Sequence, residues 1–136
     1  MKKVLSTALA LALCLPMSAQ LLRTTVAQGE IEGELFEGFA LYRAIPYAEA
    51  PVGNLRWKAP VPKAPWQGVY KAEKWGDRPF QNVDPNQNGG DLGMSEDCLY
   101  LNVWTKAPGN PEAKLPVALW IHGGGYREGW GSEPEF

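Results

Sequence analysis

LPVALWIHGGGYREGWG, residues Leu115 to Gly131, decides how this chain is read. Leu115–Ile121 is a continuous apolar run apart from Pro116, and the turn-forming APGNPEAK segment precedes it. A short apolar run bounded by turn signals predicts a strand buried on both faces, as in a parallel sheet. The run stops at His122, the single histidine of the chain, and at three consecutive glycines, Gly123, Gly124 and Gly125. A parallel strand needs crossover helices and partner strands to cover it. No long amphipathic pattern elsewhere in the sequence supplies them. The expected architecture is therefore the N-terminal portion of an α/β domain. It has short antiparallel strands and one glycine-terminated strand, and most helices and the rest of the sheet are missing.

Upstream, Thr24–Glu37 mixes β-branched residues with Gly29 and Gly33, which predicts short strands joined by tight turns. Pro46, Pro51, Pro60, Pro62 and Pro65 follow closely. That density rules out a helix and leaves extended or turning chain. Val69–Trp75 reads either as one helical turn or as a short strand. NVDPNQNGGDLGMSED is a polar loop. CLYLNVWT alternates as a strand, with Leu99, Leu101 and Val103 on one face and Tyr100, Asn102 and Trp104 on the other.

The first nineteen residues are of a different kind. Lys2 and Lys3 precede an apolar stretch, Val4–Leu15, and small residues follow before Gln20. This is the layout of a secretory signal peptide with cleavage after Ala19, and its apolar core is too short to span a membrane. The expected division is thus 1–19 as signal peptide and 20–136 as the domain segment, with a secreted or periplasmic destination. Cys14 raises a lipoprotein alternative, but Leu13 stands where a lipidation site wants a small residue.

Without Lys2 and Lys3, 11 basic residues face 15 acidic ones. There is no basic run to neutralise a phosphate backbone, so nucleic acid is not an expected partner. Past the signal segment Cys98 stands alone, which excludes an internal disulfide, and no CxxC motif is present. Asp84–Gly89 (DPNQNG) matches the opening of a calcium-binding loop. The twelfth position is Ser95 rather than glutamate, and no helices flank it, so a solvated loop is the expectation and no metal is assigned. The six tryptophans show no regular spacing, as expected of core or rim packing.

The glycine run carries the chemistry. A strand that ends in His-Gly-Gly-Gly exposes successive backbone N–H groups with no side chains in the way, and glycine permits the positive φ that lets them converge. Such a point binds an oxyanion, the species formed when a nucleophile attacks an ester carbonyl. Each donor fixed there contributes on the order of 3 kcal/mol to the transition state. On these four residues alone, a flexible surface turn fits as well.

Three stretches carry a family resemblance: IPYAEAPVGNLRWKAP (Ile45–Pro60), SEDCLYLNVW (Ser95–Trp104) and PVALWIHGGGYREG (Pro116–Gly129). Their order and spacing resemble the type-B carboxylesterases, the group that includes the cholinesterases, over Thr24–Gly129. The resemblance implies an α/β-hydrolase fold, in which HGGG-type motifs form part of the oxyanion hole. It implies that Gly124 and Gly125 donate to the oxyanion, that Gly123 lets the loop bend, and that His122 lies beside the hole. His122 is not the base, because the triad order of this fold puts the catalytic histidine after the nucleophile. The resemblance also pairs Arg56 with Glu96 as a structural salt bridge; a solvated pair of little worth is the alternative.

The departures from the family are specific. Phe80 stands in the place of the cysteine that would bond to Cys98, so the Asn82–Ser95 loop is expected to be looser. Ala44 and Ala50 replace a glycine and a proline, and Trp130 replaces a small residue. The nucleophile elbow Gly-x-Ser-x-Gly is absent. Ser95 and Ser132 are the serines beyond the signal segment, and neither has glycines on both sides. A triad of Ser132, His122 and Asp97 or Glu96 is disfavoured, since nothing places Ser132 on a strained turn. The expectation is the N-terminal part of a secreted serine esterase acting through an acyl-enzyme on a small-molecule ester, without a cofactor. It is truncated before its nucleophile, so the 136 residues alone should hydrolyse nothing. The rivals are a non-catalytic, cholinesterase-like binding or adhesion protein and an inactive truncated product.

Overall fold

The structure is a computed structural model that describes residues 22–82 and 92–132. The signal segment and the calcium-like Asp84–Gly89 stretch lie outside the described residues. Six strands run in chain order: β1 Arg23–Val26, β2 Gly29–Glu32, β3 Glu34–Phe36, β4 Phe39–Pro46, β5 Val69–Lys71 and β6 Tyr100–Thr105. They make two three-stranded sheets, β1-β2-β5 and β3-β4-β6.

The first four strands are local products of turn chemistry. β1 and β2 pair antiparallel with Arg23 opposite Glu32 and Val26 opposite Gly29. β3 and β4 pair across the two-residue turn Glu37-Gly38, where both residues have positive φ, the twist that suits a tight hairpin. Gly33 is the joint between the two hairpins. A Cβ there would run into the Leu41 carbonyl and the Tyr42 ring, so only glycine lets β3 turn away from β2 so close to β4.

The pairings of β5 and β6 are long-range. β5 joins β2 in parallel, which settles Val69–Lys71 as strand rather than helical turn. β6 lies antiparallel to β4, and the register slips between Tyr42 and Ile45. The bulge frees backbone groups that must find other partners. Arg43 N–H donates to the Ala72 carbonyl at 2.8 Å, and Ala44 N–H donates to Asn102 Oδ1 at 2.9 Å. The Ala44 carbonyl accepts from Tyr70 Oη at 2.7 Å. The bulge thereby ties the two sheets together.

The core sits where they meet. Ile31, Ala40, Tyr42 and Ala72 are buried together, and Leu22, Val26, Ile45, Trp66 and Tyr70 pack around them. Arg43 is buried beside this core. Its guanidinium binds the Glu34 carboxylate and the Glu73 carbonyl and lies 4.5 Å from the Trp75 ring centroid, so the buried charge is paired and stacked. The proline-rich stretch is extended apart from one 3-10 turn at Gly53–Leu55.

Leu115–Ile121 departs from the sequence expectation. It is not a strand in the structure, and it is not buried: Val117 is 91% and Leu119 83% exposed. A strand is defined by its neighbours' hydrogen bonds, and among the described residues none pairs with this segment. Among the described residues no strand or helix packs over Val117, Leu119 and Ile121, which stay largely exposed. The described residues also hold no α-helix, only 3-10 turns at Gly53–Leu55 and Pro111–Ala113.

Candidate active site

The loop His122–Gly129 turns sharply on itself. The Gly124 carbonyl accepts from Arg127 N–H at 3.0 Å and from Glu128 N–H at 3.3 Å. Gly124 has φ 107°, and a Cβ there would collide with the Glu128 carbonyl, so the turn closes only over glycine. Gly125 and Tyr126 continue with φ 60° and 61°. Among the described residues the N–H groups of Gly124 and Gly125 meet no acceptor, and both residues are exposed. They are donors open to a ligand.

His122 folds back on its own loop. Its Nδ1 lies 2.8 Å from the Gly123 carbonyl, and since a carbonyl can only accept, Nδ1 carries the proton. Glu96 is elsewhere, with Oε1 at 3.0 Å from Arg56 Nη2 and both side chains partly exposed. Asp97 N–H donates to Ser95 Oγ at 3.0 Å. The structure therefore distributes His122, Glu96 and Asp97 among separate partners, Gly123, Arg56 and Ser95, rather than joining them in a relay.

The far end of the loop, from Gly129 to Gly131, is gripped by three side chains from the body of the protein. Gln81 Oε1 accepts from Gly129 N–H at 2.7 Å, and Gln81 Nε2 donates to the Gly129 carbonyl at 3.2 Å. Asn102 Nδ2 donates to the Gly131 carbonyl at 3.1 Å. The buried Arg78 guanidinium stands 5.0 Å from the centroid of the Trp130 ring. Sequence reasoning missed Gln81 and Arg78 and placed Asn102 only as a strand residue. A lone amide in a polar stretch carries no signal of what it will hold.

Cys98 is a free thiol two residues before β6. Burial pushes its pKa up, and the nearby Asp97 and Glu96 carboxylates add to the shift. Burial and then Asp97 likewise raise Tyr100. A hollow of about 440 Å³ is lined by Tyr70, Trp75, Asp97 and Tyr100 among others, and no residue of the glycine loop borders it. Among the described residues no cluster of His, Cys, Asp and Glu could hold a metal ion, and no helix is long and apolar enough to cross a membrane.

Comparison with known proteins gives this geometry its context. The carboxylesterase family matches residues 19–135. Phenmedipham hydrolase of Pseudarthrobacter oxydans is 42% identical over 113 residues, 79% of this chain and 22% of that enzyme. Para-nitrobenzyl esterase of Bacillus subtilis is 40% identical over 119 residues, 81% of this chain and 22% of the enzyme. A solved thermophilic PNB esterase, an α/β-hydrolase, superposes with a TM-score of 0.74 at 41% identity, over 82% of this chain and 23% of that one. The chain thus spans about a fifth of the length of these relatives.

Proposed function

The chain belongs to the carboxylesterase family, and from that premise we propose that it supplies the oxyanion side of a carboxylic-ester hydrolase. The observation that carries the reading is the pair of unengaged, exposed N–H groups at Gly124 and Gly125, on a turn that closes only with glycine at 124. When a serine attacks an ester carbonyl, the carbonyl oxygen becomes negative as the tetrahedral intermediate forms. Two N–H donors fixed beforehand stabilise that charge more than they stabilise the neutral ester, and this difference lowers the barrier. The negative oxygen returns to a carbonyl as the alcohol leaves, and the acyl group stays on the serine until water removes it.

The nucleophile, its base and the acid that orients the base belong in this reading to sequence outside these 136 residues. Ser132 lacks the flanking glycines of an elbow, and His122 already commits Nδ1 to its own loop. The ester is a small molecule, and no cofactor enters the steps above.

The test is a graft. Residues 22–132 replace the corresponding segment of the Bacillus subtilis para-nitrobenzyl esterase, and the purified chimera is assayed with a chromogenic short-chain ester. The chimera is expected to turn over, and Gly124→Ala, whose N–H remains but whose Cβ collides with the Glu128 carbonyl and so displaces the donors, is expected to lower kcat by roughly 100-fold or more, comparable to losing one oxyanion donor. A folded chimera whose rate is indifferent to Gly124→Ala would refute the assignment. So would turnover by the ungrafted 136-residue chain that Ser132→Ala abolishes.

A further inference from the structure

We propose that Gln81 is a positioning residue for the glycine loop: its side-chain amide clamps both backbone groups of Gly129 and so fixes where the oxyanion donors stand. The proposal rests on the reading of Gly124 and Gly125 as those donors. Its own basis is the geometry of Gly129. Gln81 takes the Gly129 N–H on Oε1 at 2.7 Å and gives Nε2 to the Gly129 carbonyl at 3.2 Å. Nε2 also donates to the Pro79 carbonyl at 3.1 Å, which holds the amide in one orientation. Turned over, the amide would set like against like at both contacts, so the network fixes the orientation.

Gly129 links the clamp to the donors. It is buried, with φ 107°, and a Cβ on it would strike the His122 ring and the Gly123 carbonyl. The exit of the loop is thus pressed against its entry, and the entry leads directly to Gly124 and Gly125. The turn between them is closed by the Gly124 carbonyl, which takes Arg127 and Glu128 N–H. A displacement of Gly129 therefore moves His122 and Gly123, and the donors with them. Asn102 prevents the chain from sliding past the clamp. It holds the Gly131 carbonyl with Nδ2 while its Oδ1 takes Ala44 N–H in the β4 bulge. Donors contribute to catalysis only where they are fixed in advance, and the apolar run before His122 cannot fix them, because Val117 and Leu119 are exposed. Gln81 is the side chain that grips both backbone groups of one loop residue.

The discriminating variant is Gln81→Glu. Protonated, the acid can accept from Gly129 N–H and donate to its carbonyl as the amide does. Ionised, it turns an oxygen without a proton onto the Gly129 carbonyl. Amide hydrogen exchange of the 136-residue chain is followed by NMR, with rates corrected for the intrinsic pH dependence of exchange. In Gln81→Leu, protection at Gly129 should fall by about 30-fold, as expected for losing two net hydrogen bonds, while the β4–β6 amides keep theirs. In Gln81→Glu, protection at Gly129 should be near wild type in acid and fall as the carboxyl titrates. In the grafted esterase the same variant should lose kcat over that pH range with KM within about twofold. Unchanged Gly129 exchange in Gln81→Leu, or a pH-independent Gln81→Glu, would overturn the clamp. Loss of the β4–β6 protection together with that of Gly129 would also overturn it, by showing a general structural role. A clamp seen by exchange in a graft that ignores Gly124→Ala would leave Gln81 holding the loop and sink the esterase reading instead.

Discussion

The core positions of β2 and β4 and the run Leu115–Ile121 are both apolar, and the structure treats them oppositely. In the first region Ile31 is 2% and Leu41 0% exposed; in the second Val117 is 91% exposed. Partnership, not hydrophobicity, separates them. β1 to β4 pair through two tight hairpins, so each strand meets its neighbour within a few residues of chain. Leu115–Ile121 has no such neighbour among the described residues. It ends, however, in a loop whose exit is held by Gln81 and Asn102. A segment can therefore be unpacked along its length and fixed at its functional end.

The largest effects should separate the two regions outright. Ile31→Ala removes packing from the point where the sheets meet, and should destabilise the chain by about 2–5 kcal/mol in urea unfolding. Val117→Asp places a charge in the middle of the apolar run, yet should change the same stability by no more than about 0.5 kcal/mol, as for any solvated site. Comparable losses from both substitutions would mean that the run is buried in solution. That would break the contrast.

The same contrast explains what could be read in the sequence. Hairpins are local, so Thr24–Glu37 announced its strands through Gly33 and the turn residues between β-branched positions. The β6 alternation was legible for the same reason. The inward face could not be known from alternation alone: Tyr100 and Asn102 are the better covered, while Leu101 is 40% exposed. Apolar content suggested a buried strand at Leu115–Ile121, because the pattern records what a segment needs and not whether its partners are present. The glycines of the loop were legible because a positive φ and a collision with Glu128 leave glycine alone at 124. Gln81 was not, since its role depends on a contact 48 residues away.

A smaller effect should come from the charges that lace β1, β2 and β5. The Lys71 ammonium, and after it the Arg23 guanidinium, hold the Glu32 carboxyl below its ordinary pKa. Arg23, Glu32 and Lys71 stand directly opposite one another across the three strands. A lowered folded-state pKa gives stability that is present above the unfolded value and is lost as the pH falls through the folded one. The thermal midpoint of the wild-type chain should therefore drop on acidification more than that of Glu32→Gln, and the two should converge once the carboxyl is protonated. Parallel curves would show that these cross-strand charges do not sharpen the packed region.

The smallest effect belongs to the pair Arg56 and Glu96. It joins the end of the Gly53–Leu55 turn to the segment before β6, two stretches that share no sheet. That connection argues for a fastening role, while the exposure of the two side chains, 55% and 33%, argues for a weak one. Solvent screening and the entropy of two long side chains leave such pairs with about 0.2–1 kcal/mol. Exposure should decide here, because water reaches both partners and one 3.0 Å contact is no bidentate fork. A double-mutant cycle with Arg56→Met and Glu96→Gln should give a coupling within that range that shrinks as salt is added. A coupling well above about 1 kcal/mol and indifferent to salt would place the pair out of solvent. It would then count among the contacts of the packed region rather than those of the open one.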